Sequence, residues 1–164
     1  MRTWQAILAG CGLVLLAQRA VRGVLLHRLR RDVRALNAGD YRPLLANYAD
    51  DAVLHFPDGD HRFAGEHRGK PSIERFLREF VAAGLQGEIH DLVASGAPWR
   101  MTMIVRFDDH ALGPRGEQLY ANRAVLVIRT KWGQVVEHTD FFENTDRITD
   151  LERRLRELGT GRGS

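Results

Sequence analysis

"LYANRAVLVIRTKWGQVVEHTDFFEN", residues 119–144, decides the fold. Two runs rich in β-branched and aromatic residues flank the short loop "TKWG", a pattern that folds as an antiparallel hairpin. Side chains alternate faces along a strand. In the first run one face holds Tyr120, Asn122, Ala124, Leu126 and Ile128, while the other holds Arg123 and Arg129. In the second, Val136, His138, Asp140 and Phe142 share a face, and Val135, Glu137, Thr139, Phe141 and Glu143 share the other. Pairing Thr130 with Gln134 sets Leu126 opposite His138 and Ala124 opposite Asp140. Whichever face is buried takes titratable groups with it. A plain core has no use for a histidine and an aspartate side by side.

Working outward, "GEIHDLVAS" and "WRMTMIVRF" read as two more strands before the hairpin, and "AVLHFP" as an earlier one that Pro57 stops. Helical spacing runs through "HRLRRDVRALNAGD", with Leu29, Val33 and Leu36 on one stripe and Gly39 placed to end it. "YRPLLANYADD" reads as a short helix with Pro43 in its first turn, and "KPSIERFLREFVAAG" as a helix with Ile73, Phe76, Leu77, Phe80 and Val81 on one face. "PDGDHRFAGEHRG" reads as a polar loop, "DRITDLERRLRELG" as a last amphipathic helix, and residues 159–164 as a disordered tail. The plan is α+β, with helices gathered on one face of a curved antiparallel sheet.

At 164 residues and 44% apolar composition, the chain forms one domain with a real core. The single cysteine, Cys11, excludes an internal disulfide and a cysteine-based zinc site. Residues 1–34 carry seven arginines against Asp32, so the rest of the chain is net acidic despite an overall charge of +3. That distribution argues against a nucleic-acid-binding domain. His55, Asp58, Asp60, His61 and His67 crowd one loop, but their spacing matches no metal-ligand set. With no phosphate-binding or nucleotide fingerprint either, no cofactor is expected.

Residues 1–27 form a hydrophobic and basic arm. As a helix, its apolar run from Trp4 to Ala17 reaches roughly 21 Å, short of a hydrocarbon core of about 30 Å. Arg19, Arg22 and Arg28 follow it and could snorkel to headgroups. The readings that compete are a signal peptide, a lipoprotein box at "LAGC", a signal-anchor or membrane-surface helix, and a long helix packed on a partner chain. A spanning arm would place the domain, residues 28–158, on the cytoplasmic side of a membrane, with the arginine cluster in the headgroup layer.

"ALNAGDYRPLLANYADDAVLHFP", "GEHRGKPSIERFLREF" and "KWGQVVEHTDFF" together resemble the nuclear transport factor 2-like superfamily, in particular its SnoaL-like polyketide cyclases and ketosteroid isomerase. The resemblance implies a conical α+β barrel around a deep apolar pocket, and a homodimer. It carries over catalytic groups unevenly. The isomerase's general-base aspartate falls on Phe56, its helical tyrosine on Asp32, and its second aspartate near Ala124 or Val125. The cyclases' last-strand H-x-D pattern falls on His138 and Asp140, while their preceding-strand histidine falls on Leu126.

The resemblance makes the His138–Asp140 face a pocket wall. Asp140 is then the candidate acid/base residue and His138 its partner. Tyr120 and Asn122 are expected to hold a carbonyl or hydroxyl, and Trp99, Phe56, Met101, Met103, Leu126 and Phe142 to supply apolar wall. The strand at 99–107 would turn Trp99, Met101, Met103, Val105 and Phe107 inward. Three functions fit: an isomerase- or cyclase-type enzyme on a hydrophobic polyketide- or steroid-like molecule, a carrier of such a molecule, or an assembly module recruited to a membrane complex, in which the Asp–His pair only satisfies neighbouring polar groups. A cavity blocked by Trp99, Phe56 and Phe142 would favour assembly, and an open one with Asp140 in its wall a ligand.

Overall fold

The computed structural model describes residues 2–159, with side-chain surroundings from residue 19 onward; residues 160–164, most of the expected tail, and the side chains of the Trp4–Ala17 run lie outside. Helix α1 runs unbroken over Arg2–Asn37, so the boundary drawn between arm and domain at 27/28 falls inside one helix. Among the described residues no helix is long and apolar enough to cross a membrane.

The end of α1 is set by the chain's own chemistry. Gly39 takes φ 91, its N–H bonds Leu36 O, and Asp40 N–H reaches back to Ala35 O. This is a Schellman cap, which needs a residue without Cβ at its left-handed position. Val33 and Leu36 are buried, and the stripe packs on the sheet. Asn37 clamps the helix to the strand Leu85–Ala97 through Gly87, accepting its N–H and donating to its carbonyl, each at 2.8 Å.

Helix α2 is the single turn Arg42–Leu45, shorter than the spacing suggests. The Asn47 amide bonds Pro43 O and Asp32, which closes the turn, and Tyr48 opens β1, Tyr48–Phe56. Strand β2, Gly65–Arg68, lies inside the segment expected to be loop; Gly65 at φ 89 turns the chain back along β1. Helix α3, Lys70–Ala82, buries Ile73, Phe76, Leu77 and Phe80 as its periodicity requires. Strands β3 (Leu85–Ala97), β4 (Arg100–Leu112), β5 (Gln118–Lys131) and β6 (Gln134–Phe142) follow, then α4, Asp146–Glu157.

The sheet order is β2-β1-β6-β5-β4-β3. β1 runs parallel to β6, so the sheet is mixed rather than purely antiparallel. β2, α3 and β3–β5 separate these two strands in sequence, and only strands joined by a tight turn must be antiparallel. The β5–β6 hairpin turns on Trp132 and Gly133, at φ 52 and φ 80, the conformation of a type I′ turn. Lys131 therefore pairs with Gln134, and a bulge leaves Val136 between the Thr130–Val135 and Arg129–Glu137 pairs. Leu126 faces Asp140 and Ile128 faces His138, two residues from the expected register. A shift of two keeps His138, Asp140 and Phe142 on their expected face, but the bulge turns Val135 inward, against its expected parity, so that it is buried and lines the cavity with them.

A second glycine shapes the inner surface. A Cβ at Gly87 would lie 2.1 Å from Phe107 Cζ, so only glycine lets that ring lie across β3. Together α1, α3 and the concave face of the sheet enclose the core.

Candidate functional site

The concave face does not close on itself. A cavity of about 300 Å³ remains between α1, α3 and strands β1 and β3–β6. Its walls are almost wholly apolar: Phe56, Met101, Met103, Leu126 and Phe142 all line it, as their strand parity demands. Phe56 and Phe142 pack against each other, ring centroids 5.2 Å apart, as wall and not as plug.

One region of the wall is polar. Tyr48 from β1 and His138 from β6 meet with Oη 2.6 Å from Nδ1. Burial, with the Asp140 charge adding to it, holds the Tyr48 phenol far above its ordinary value, so the hydroxyl keeps its proton. When that proton is donated to Nδ1, Nε2 carries the hydrogen in the neutral ring. Nε2 lies 2.8 Å from Asp140 Oδ1. The two residues stand side by side on one strand face, and their contact is too far out of line for a hydrogen bond, so both atoms stay buried without a directional partner.

A third group joins them from β4. Asp109 continues the inward parity of Met101, Met103 and Phe107, and is 3% exposed. Tyr120 donates to its Oδ2 at 3.1 Å, and its Oδ1 has no partner among the described residues. Burial pushes the Asp109 carboxyl up to about 8; the Asp140 charge pushes the same way, and the Tyr120 hydrogen bond opposes it. Two carboxyls in one apolar wall cannot both ionise cheaply, and burial selects Asp109 to stay neutral.

Three of the expected site residues sit elsewhere. Trp99 is 57% exposed at the β3–β4 turn and outside the cavity wall; the strand begins only at Arg100, so its alternation does not reach Trp99. Tyr120 and Asn122 share the expected inward face and are buried, but neither lines the cavity. Tyr120 is spent on Asp109. The Asn122 amide donates to Asn144 O at 2.6 Å and so ties the β6–α4 connection. A buried polar group takes the nearest partner, and here that partner is protein.

Sequence reading missed Asp109, Tyr48 and Asp32. Asp32, on α1, is 1% exposed and lines the cavity; it accepts from Arg31 at 2.9 Å and Asn47 at 2.9 Å, so its charge is matched. Ala124 and Val125, where the isomerase's second aspartate falls, carry no carboxyl, but Asp109 stands on the neighbouring strand. Ala124 pairs with Phe107, and Asp109 lies one inward step beyond it.

The family model of the SnoaL-like domain matches residues 29–138. No curated protein matches the sequence. Among solved structures, TerC co-crystallised with polyporic acid shares 17% identity over 74% of this chain and 92% of its own, with a TM-score of 0.60. A polyketide cyclase candidate from Xanthomonas campestris pv. campestris shares 16% over 79% and 98%, at 0.55. A nuclear transport factor 2-like protein from Anabaena variabilis shares 17% over 76% and 91%, at 0.54. At these identities the likeness is one of fold.

Proposed function

Because the chain belongs to the SnoaL-like domain family, we propose that it takes a largely apolar small molecule into this cavity and performs acid/base chemistry on that molecule's one oxygenated end. The observation that carries the reading is the set of buried atoms without directional partners on three lining residues: Asp109 Oδ1, His138 Nε2 and Asp140 Oδ1. Buried polar atoms are ordinarily satisfied, and leaving one bare costs about 1–3 kcal/mol. A ligand carbonyl or hydroxyl between these groups would satisfy them together.

The roles divide by environment. Asp109 is neutral below about pH 8 and can donate to a carbonyl oxygen, stabilising the negative charge that develops there. Asp140 is the base that takes a proton from the adjacent carbon, with the His138 N–H beside it to steady the charge. Return of that proton to a different carbon is an isomerisation, and attack of the enolate on a second carbonyl of the same molecule is a cyclisation. Of the solved neighbours, one was crystallised with polyporic acid and another is a polyketide cyclase candidate, which supports a small organic ligand here. The open cavity, with Phe56 and Phe142 in its wall and Trp99 outside it, favours a ligand over pure assembly.

Native mass spectrometry of the full chain tests the reading. It predicts a co-purifying organic adduct, or uptake from a panel of aromatic and polycyclic ketones, that is abolished by Met103→Trp, which fills the cavity. Uptake undiminished in Met103→Trp would place the ligand elsewhere and overturn it.

A further inference from the structure

Two tryptophans stand in water at one end of the sheet. Trp132 is 74% exposed and Trp99 57%. Their rings lie 6.5 Å apart, and Trp132 N–H donates to Trp99 O at 3.3 Å. Trp132 occupies the first central position of a type I′ turn at φ 52, where asparagine, aspartate and glycine are the ordinary residues. A bulky side chain in the left-handed region is strained, and such strain persists where the side chain has a use.

The same end of the molecule holds the cavity mouth. Pro98 and Gly133, chain neighbours of the two tryptophans, line the cavity, as do Leu25 and Arg28 of α1. The helix also leads there. Asn37 is fixed to Gly87, Arg30 donates to Ile89 O at 3.0 Å, and Arg22 to Leu92 O at 2.7 Å. Moving up α1 toward its N-terminus therefore moves along β3 toward Trp99. Val21 and Val24 are exposed on this stretch, and the Trp4–Ala17 run lies upstream of them. The exposed cations at this end are Arg28 on α1, and Arg100 and Lys131, register partners beside the tryptophans; of the acids near it, Asp91 is paired with Arg22 and Asp50 with Lys70.

We infer that this end docks on an anionic lipid bilayer, with Trp99 and Trp132 seated at the headgroup level and the cavity mouth held against the membrane. Indole rings are favoured at that depth because they are apolar with one polar N–H, and basic residues add attraction to anionic headgroups. The aromatic pair and the cations at the rim describe a lipid surface better than a protein partner, because they surround an opening where a protein interface would close it. Loading of the cavity from the membrane rests on the ligand reading above; docking itself stands if the cavity binds nothing.

The experiment uses full-length protein carrying Trp4→Phe, so that only Trp99 and Trp132 emit. With vesicles of phosphatidylcholine and phosphatidylglycerol, emission should move to shorter wavelength and brominated lipid should quench it; vesicles of phosphatidylcholine alone should bind far more weakly. Trp99→Ser with Trp132→Asn should lower partitioning about tenfold or more. Asparagine suits the turn, and an unchanged melting temperature certifies the variant's fold. Emission and quenching unmoved by lipid, with protein still pelleting through the arm, overturn the proposal. So does a blue shift that needs no vesicles and grows with protein concentration, which would mean that a second copy covers the pair.

Discussion

Asp109 and Asp140 sit near each other in an apolar wall and are asked to do opposite things. Asp140→Asn is nearly isosteric and should leave the melting temperature within a few degrees while lowering turnover about 10²–10⁴-fold. A variant that loses several kcal/mol of stability and no ligand affinity would make Asp140 a structural group. Asp109 has its own signature. Its pKa rises from 3.8 to about 8 on folding, so between those values the folded state keeps a proton that the unfolded chain has lost. Stability from this residue is therefore full below about pH 4 and declines as pH rises toward about 8. Thermal melts across that range should show the decline in the parent and not in Asp109→Asn. His61 works from the acid side. It is buried with neither ring nitrogen partnered among the described residues, and burial lowers its pKa from 6.5. The unfolded chain binds that proton more readily, so stability should fall as pH drops below about 6.5, and His61→Phe should blunt the fall. His138 and Asp140 were legible in the sequence because strand alternation placed them on an otherwise apolar face. Asp109 obeys the same alternation two residues past Phe107, and was hidden only because the run of apolar letters ends there. Tyr48 was hidden because "YRPLLANYADD" scans as helix, while Asn47 closes the turn through tertiary bonds to Asp32 that no local pattern shows.

Among elements, the long strands and α3 were readable from periodicity, because burial of one face is a local property of spacing. Register was not. It depends on a two-residue turn that accepts a tryptophan at positive φ and on a bulge at Val136, and neither leaves a composition signal. β2 was missed because its four residues pair only along one edge. The element most exposed to a single substitution is α4. Arg62, in the loop before β2, donates to both carboxylate oxygens of Glu152 on α4, at 2.8 and 3.1 Å, with side chains 15% and 5% exposed. Burial opposes the Glu152 charge, but Arg62 and Arg156 hold its pKa below the ordinary value. Arg62→Ala leaves the buried Glu152 carboxylate with Arg156 as its remaining cation and should cost about 3 kcal/mol in urea unfolding, whereas Arg62→Ala with Glu152→Leu should recover much of it. Equal losses in the single and double variants would show that the pair is not the reason.

At the scale of the whole molecule, the sheet has two faces with different work. The inner face makes the cavity. The outer face shows the charges that parity required, with Arg123 bonded to Glu143 at 2.7 Å and Arg129 to Glu137 at 2.9 Å. Between these ion pairs lies an apolar band that charge counting overlooked: Val93, Ile104, Val125 and Phe141, all substantially exposed. An apolar centre with a charged rim has the anatomy of an interface, and pairing of two copies through this face is the expected state. Light scattering at tens of micromolar on the chain lacking residues 1–27 should give twice the chain mass, and Ile104→Glu should give the chain mass. A monomer for both would leave the band unexplained and the dimer wrong.

The proposed chemistry needs a neutral acid held beside a base in a cavity. Carbon-13 NMR of aspartate-labelled protein measures that directly, with Asp109→Asn to assign the resonance. The Asp109 carboxyl should titrate near 8, and Asp140→Asn, by removing a neighbouring charge, should move its midpoint down. An Asp109 midpoint near the ordinary 3.8, unmoved by Asp140→Asn, would contradict the proposed chemistry.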